Sequence, residues 1–252
     1  MLTVEAIPAL RDNYVWALHD GKTAALVDPG ESAPILTWLA RRGLTPSAIL
    51  VTHHHADHVG GIAGLLARHP VPVYGPTRGA AASRPVHEGQ ILELPGLDAR
   101  LAVLETPGHT LDHVCYLGHG HLFCGDTLFS CGCGRLFEGT PEDMHASLSR
   151  IARLPGDTRI CCAHEYTLAN IAFAREVEPD NPALRQRQAE ALALRKAGRP
   201  TLPVPLGLER DTNPFLRSEI ETVRSAASEH RGSPVAPGVE TFAAVRSWKD
   251  EQ

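Results

Sequence analysis

Residues 52–58 read THHHADH and follow directly on the apolar run AILV. Four histidines and an aspartate in seven residues, placed at the end of a predicted strand, constrain the fold more than any other feature of the chain. Along an extended segment side chains alternate, so His53 and His55 point to one side and His54 to the other. Asp57 and His58 follow as the chain turns into a helix and face a second point a few ångströms away. The HxHxDH spacing therefore suits two neighbouring metal ions. It calls for a fold that gathers further ligands at strand ends.

Three more candidates occupy that position. ARLAVLETPGHT ends a strand at His109, HLFCGDT ends one at Asp126, and TRICCAHEY ends one at His164. Loops beyond the ends of strands are where α/β domains collect functional groups from distant parts of the chain. The ligand arithmetic then closes on two ions. His53, His55 and His109 hold the first, Asp57, His58 and His164 the second, and Asp126 bridges with its two oxygens. A solvent oxygen held between two cations about 3.5–4 Å apart would be acidified to a hydroxide nucleophile near neutral pH. Asp57 and Asp126 are thus the candidate catalytic carboxylates. Taken alone, PGHT or CGD reads as an ordinary turn; HxHxDH with three further ligands does not, because buried unpaired polar groups are costly.

The remaining pattern has two regimes. Up to about residue 165, the runs KTAALVD, AILVT, VPVYG, ARLAVLET, HVCYL, HLFCGD and TRICCAH predict strands. APILTWLARRG, stopped by Gly43, and DHVGGIAGLLARH predict helices between them. Alternating strands and helices predict an α/β sheet domain over 1–165. After it, YTLANIAFAREV, NPALRQRQAEALALRKAG, SEIETVRSAASEH and TFAAVRSWKDE predict a helical domain over 166–252, with the Pro-rich RPTLPVPLG as its loosest connection.

Composition narrows the function classes. With 24 basic and 29 acidic residues the formal charge is −5, which gives no support to a nucleic-acid partner. No apolar run approaches the roughly 18 residues of a membrane span, and the first residues lack the pattern of a secretion signal. A cytoplasmic protein, a monomer without membrane or nucleic-acid partners, is expected. Six cysteines, at positions 115, 124, 131, 133, 161 and 162, form no CxxC pair and sit in or beside apolar runs, as reduced core thiols do.

THHHADH, PGHT, CGD and AHEY, in that order, resemble the metallo-β-lactamase superfamily. The resemblance is closer still to its hydroxyacylglutathione hydrolase (glyoxalase II) family. LRDNYVW at 10–16, VDPGE at 27–31, GCGRLFEGTPEDM at 132–144, HEYT at 164–167, NPFLR at 213–217 and the C-terminal VRSWKD carry it over nearly the whole chain. It implies an αββα sandwich with a binuclear site on its edge, followed by a smaller C-terminal α-helical domain. The implied reaction is hydrolysis of S-(2-hydroxyacyl)glutathione thioesters, chiefly S-D-lactoylglutathione to glutathione and D-lactate, in methylglyoxal detoxification. Two divalent ions are implied, zinc foremost, with iron or manganese as alternatives. The thiol would leave near the ion held by His164.

The same resemblance assigns the glutathione half of the substrate to Arg135, Phe137, Tyr166, Arg246 and Lys249. Arg246 and Lys249, at i and i+3 on a helix, would clamp a carboxylate together. Arg135 and Phe137 stand where some relatives carry lysine and tyrosine, which keeps the charge and removes a hydroxyl. Asp28, at the end of the VDPG strand, is a candidate for orienting a histidine ligand. Two alternatives are weighed against this reading: a glutathione persulfide dioxygenase, which shares HxHxDH but uses one iron, and a non-enzymatic zinc-binding module, whose site would be closed.

Overall fold

The computed structural model describes residues 2–77 and 82–252. By contacts the chain divides into two compact units whose segments alternate in sequence. The first comprises Met1–Glu105, Asp112–Gly125 and Cys161–His164; the second comprises Thr106–Leu111, Asp126–Ile160 and Glu165–Gln252.

The first unit begins with a six-stranded sheet whose spatial order follows the sequence: β1 (Thr3–Ala9), β2 (Asn13–His19), β3 (Thr23–Val27), β4 (Thr45–Leu50), β5 (Val73–Gly75) and β6 (Arg84–Pro85). The first three strands are antiparallel and joined by short turns. From β3 onward the pairing is parallel, so each connection must cross over the sheet. Helix α1 (Ala33–Arg42) makes the first crossover, and α2 (Ala56–Val59) with α3 (Ile62–Leu66) makes the second. Val15, Ala17, Leu26, Ile49 and Val51 pack from the sheet onto Ile35, Trp38 and Leu39 of α1 and Ile62 and Leu65 of α3. Each such side chain contributes about 1.5–3 kcal/mol by burial.

A second set of antiparallel strands follows: β7 (Ile91–Glu93), β8 (Arg100–Glu105), β9 (Val114–Gly118) and β10 (His121–Gly125). The Tyr116 hydroxyl on β9 donates to Val51 O at 2.7 Å, just past β4, and the Trp16 indole on β2 donates to Cys162 O at 2.9 Å. Strand β2 is buried at all seven positions. Both its faces are therefore covered, which removes the alternation a half-exposed strand would show.

Gly43, left-handed at φ +65, ends α1 as expected. The single helix expected over DHVGGIAGLLARH is two short helices instead. Gly61 N donates to Pro29 O at 2.8 Å rather than back along the helix. A Cβ on Gly61 would lie 2.6 Å from that oxygen. The glycine pair lets the VDPGE turn approach, and the helix breaks there.

The second unit contains a minimal hairpin, β11 (Leu128–Phe129) with β12 (Gly132–Cys133), then α4 (Pro141–Ile151). Thr140 and Asp143 form a capping box at the start of α4. The first two residues of β13 (Arg159–Cys162) pair with β14 (Val204–Pro205). The helices are α5 (Thr167–Val177), α6 (Pro182–Lys196), α7 (Leu206–Thr212), α8 (Glu221–Arg231) and α9 (Val239–Asp250). Cys131 of the hairpin packs with Ile171, Ala174, Leu184 and Ala191 of α5 and α6. RPTLPVPLG, expected as the loosest connection, supplies β14 and opens α7. All six cysteines are buried thiols. Among the described residues, no helix is long and apolar enough to cross a membrane.

Candidate metal centre and substrate cleft

In the first unit, β4 delivers THHHADH. Val51 N still donates to Tyr74 O at 2.8 Å, after which the chain leaves the sheet. His53 is buried, with Nε2 3.1 Å from His55 Nδ1. His54 turns elsewhere, its Nδ1 3.5 Å from Asp112 Oδ1. Asp57 lies in the first turn of α2, and its Oδ2 is 3.5 Å from His58 Nε2 and 3.3 Å from His164 Nε2. Ligand atoms of Asp57, His58 and His164 all lie within 4.8 Å of one another.

Carboxylates fix the tautomers of these histidines. Asp28 accepts from Thr52 N at 2.7 Å and from Thr52 Oγ1 at 2.8 Å. Because the threonine hydroxyl spends its proton on Asp28, its oxygen accepts from His53 Nδ1, 3.0 Å away. His58 Nδ1 lies 3.1 Å from a carboxylate oxygen of the same Asp28, and His164 Nδ1 lies 2.8 Å from Asp12 Oδ1. The Thr52 oxygen beside His53 and the Asp12 carboxylate beside His164 act as acceptors, so these two Nδ1 atoms carry the proton and their Nε2 atoms present lone pairs. Metal-binding histidines are oriented in this way. Asn13 Nδ2 donates to Asp57 Oδ2 at 3.1 Å, and the His113 ring stacks on His53 at 4.9 Å.

In the second unit, the PGHT turn and the segment after β10 bring His109 Nε2 to 3.4 Å from Asp126 Oδ2. His109 Nδ1 donates to Arg135 O at 2.8 Å, so again Nε2 is left as the acceptor. Buried imidazoles held as Nε2 acceptors beside carboxylate oxygens are the donor set of a divalent-metal site. Among the described residues, no cysteine belongs to a group of converging ligand atoms.

His109 and Asp126 line a cleft of about 680 Å³ in the second unit. Phe129, Phe137, Tyr166, Arg135, Arg246 and Lys249 are among the other residues of its wall. Phe137 is 63% exposed, with its ring edge-on to His109 at 5.3 Å. Tyr166 stands edge-on to Phe129 at 5.2 Å. The cations differ in kind. Arg246 is buried: Nη1 donates to Cys133 O at 3.1 Å and Nη2 to Asp250 Oδ1 at 3.0 Å, and the guanidinium lies 5.1 Å from the centre of the Phe215 ring. Arg135 is exposed and reaches the same Asp250 oxygen at 3.3 Å. Lys249 is half-buried over the Phe173 ring. Burial first, and the Arg246 charge second, hold its pKa below the ordinary lysine value. Burial also pushes the Cys133 thiol up to about 11, so it lines the cleft as a neutral group.

Sequence reasoning missed Asp12, Asn13, Thr52, His113, Asp250 and Asn170. Asp12 and Asn13 lie in LRDNYVW and Asp250 in VRSWKD, motifs that carried the resemblance without assigning roles.

Sheets covered by helices, with imidazoles and carboxylates at their strand ends, define the metallo-β-lactamase class of fold. Residues 9–164 match the family model described as the metallo-beta-lactamase superfamily, and residues 165–252 match that described as the hydroxyacylglutathione hydrolase C-terminus. The chain is 52% identical to the hydroxyacylglutathione hydrolase of Cupriavidus taiwanensis over 99% of both chains. It is 53% identical to that of Xanthomonas campestris pv. campestris over 99% of this chain and 98% of the other. The crystal structure of the BLEG-1 B3 metallo-β-lactamase superposes with a TM-score of 0.65 at 26% identity, covering 85% of this chain and 99% of that one. The chain belongs to the hydroxyacylglutathione hydrolase family of the metallo-β-lactamase superfamily.

Proposed function

We propose that the chain hydrolyses S-(2-hydroxyacyl)glutathione thioesters, chiefly S-D-lactoylglutathione, to glutathione and the 2-hydroxy acid, as a soluble cytoplasmic monomer in methylglyoxal detoxification. The observation that carries the reading is the cleft, whose lining combines two metal-type residues, His109 and Asp126, with the cations Arg135, Arg246 and Lys249. Its volume is in the range of small-molecule sites. The relatives' name supplies the substrate class.

His53, His55 and His109 would hold one divalent ion and Asp57, His58 and His164 a second, with Asp126 shared between them. Zinc suits this nitrogen and oxygen set, and iron and manganese are the competing ions. Bound divalent cations acidify water and polarise a carbonyl. The chain's residues do the rest. Asp28 acting through Thr52 on His53, Asp12 on His164 and the Arg135 carbonyl on His109 keep these histidines in the Nε2-acceptor tautomer. Arg135 and Lys249 attract the glycine carboxylate of the glutathione moiety, and Arg246 holds the Asp250 carboxylate beside them. Phe137 gives the thioester an apolar wall next to His109. Water adds across the acyl carbon–sulfur bond, the thiolate leaves and is protonated, and no external acid is required. The functional division would run at 165/166, with the proposed metal ligands on its N-terminal side and helices α5 to α9 on its C-terminal side.

Turnover of S-D-lactoylglutathione, followed by loss of thioester absorbance with metal analysis on the same sample, tests the proposal. Hydrolysis at about two metals per chain is expected; a fully metallated protein without turnover removes the assignment. Asp126→Ala should lose metal and activity together.

A further inference from the structure

The NPFLR motif and helix α7 contain a buried polar network that the mechanism above does not use. Glu209 is fully buried. Its Oε1 accepts from Ser130 Oγ at 2.8 Å, and its Oε2 from Cys131 N at 2.7 Å and Asn213 Nδ2 at 3.0 Å. Asn213 Nδ2 also reaches Phe129 O at 3.1 Å and Gly132 O at 2.9 Å. Asn170 Nδ2 donates to Ser130 O at 3.1 Å, and Arg187 Nη2 to Ser130 Oγ at 3.2 Å. The two-residue turn between β11 and β12 is thus gripped from outside the hairpin.

That turn requires gripping. Cys131 sits at φ +56, a left-handed conformation that a residue with a side chain holds only when its surroundings impose it. The hairpin leads straight into the segment that touches the cleft. Phe129, Cys133, Gly134 and Arg135 line it, and Arg135 O accepts the Nδ1 proton of His109.

We infer that Glu209, assisted by Asn213, is a positioning residue for the thioester hydrolysis: it holds the Phe129–Cys133 turn in the conformation that sets the Arg135 carbonyl against His109 and the Arg135 side chain in the cleft. The inference rests on the proposed function for its substrate, while its geometric part stands without it. A carboxylate suits the place because three donors converge on two oxygens. Glutamine would supply one acceptor and turn an amide N–H₂ toward a donor.

The test is Glu209→Gln in the metallated full-length protein. A misplacement of about 1 Å near reacting groups costs on the order of a hundredfold, so kcat/KM for S-D-lactoylglutathione should fall by roughly that factor. Affinity for glutathione alone, measured by calorimetry, should fall with it, and the amides of Gly132 and Arg135 should exchange faster. Wild-type kinetics and glutathione affinity in a protein that is merely less thermostable would overturn the inference. Should Glu209→Gln fail to fold, Ser130→Ala removes a single donor and should shift kcat/KM and amide exchange in the same direction; unchanged values there would overturn it equally. If the wild type itself lacks thioesterase activity, the functional proposal fails, and amide exchange in the two variants still decides whether the turn is held by Glu209.

Discussion

Asp12 touches His164 through a single 2.8 Å contact, yet it decides which ring nitrogen faces outward. Asp12→Asn leaves an amide that can flip its N–H₂ toward the ring and favour the wrong tautomer. Metal affinity should fall roughly 10–100-fold, measured by chelator competition, with an unchanged circular dichroism spectrum. Lys249 supports a prediction in pH. Its folded pKa lies below the ordinary 10.5, so in the interval between the two values the unfolded chain binds more protons. Stability therefore gains from this group as pH rises through that interval, while attraction for a carboxylate is lost. KM for a glutathione thioester should rise with pH before an ordinary lysine would titrate, and Lys249→Arg should remove the rise. The histidines of THHHADH were legible as ligand candidates because a dense cluster of one chemistry is a local signal. Asp12, Thr52 and Glu209 were not, because a lone polar residue looks the same whether it caps a turn or orients a ligand. Arg246 and Lys249 read as equal partners by spacing; packing made one a buried strut and left the other half-buried.

Elements show the same division. The strands that precede His53, His109, Asp126 and His164 are apolar runs with a plain stop, and they were readable as such. β11 and β12 have two residues each, too few to display any period, so the hairpin could not be inferred. β1 and β2 escaped for a different reason: β2 is covered on both faces and β1 carries mixed burial, which leaves no alternation. Gly134, just past the hairpin, sits so close to the backbone that a Cβ would lie 2.0 Å from Asp126 O and 2.9 Å from His109 Nδ1. Gly134→Ala must push the hairpin exit away from both residues. At least a tenfold loss in kcat/KM is expected, about 1.4 kcal/mol of barrier, with helix content by circular dichroism retained.

For the whole molecule, the family boundary at 164/165 and the compact units are different divisions. Residues 126–160 belong to the N-terminal family match but fold with the C-terminal helices. A fragment ending at His164 lacks Glu209, Asn213, Asn170 and Arg187, and it lacks the α5 and α6 core on which Cys131 packs. It should show no single cooperative urea transition and rapid amide exchange across Phe129–Cys133, whereas the full chain should protect them.

That dependence also sets a timetable for biosynthesis. All the ligand-type residues have left the ribosome once His164 emerges, but the braces on the turn that steadies His109 arrive some fifty residues later, on α7 and the NPFLR segment. A nascent chain would thus offer loosely aimed imidazoles to any passing ion, and selective metal loading becomes a late event, reserved for a polypeptide that is almost fully translated.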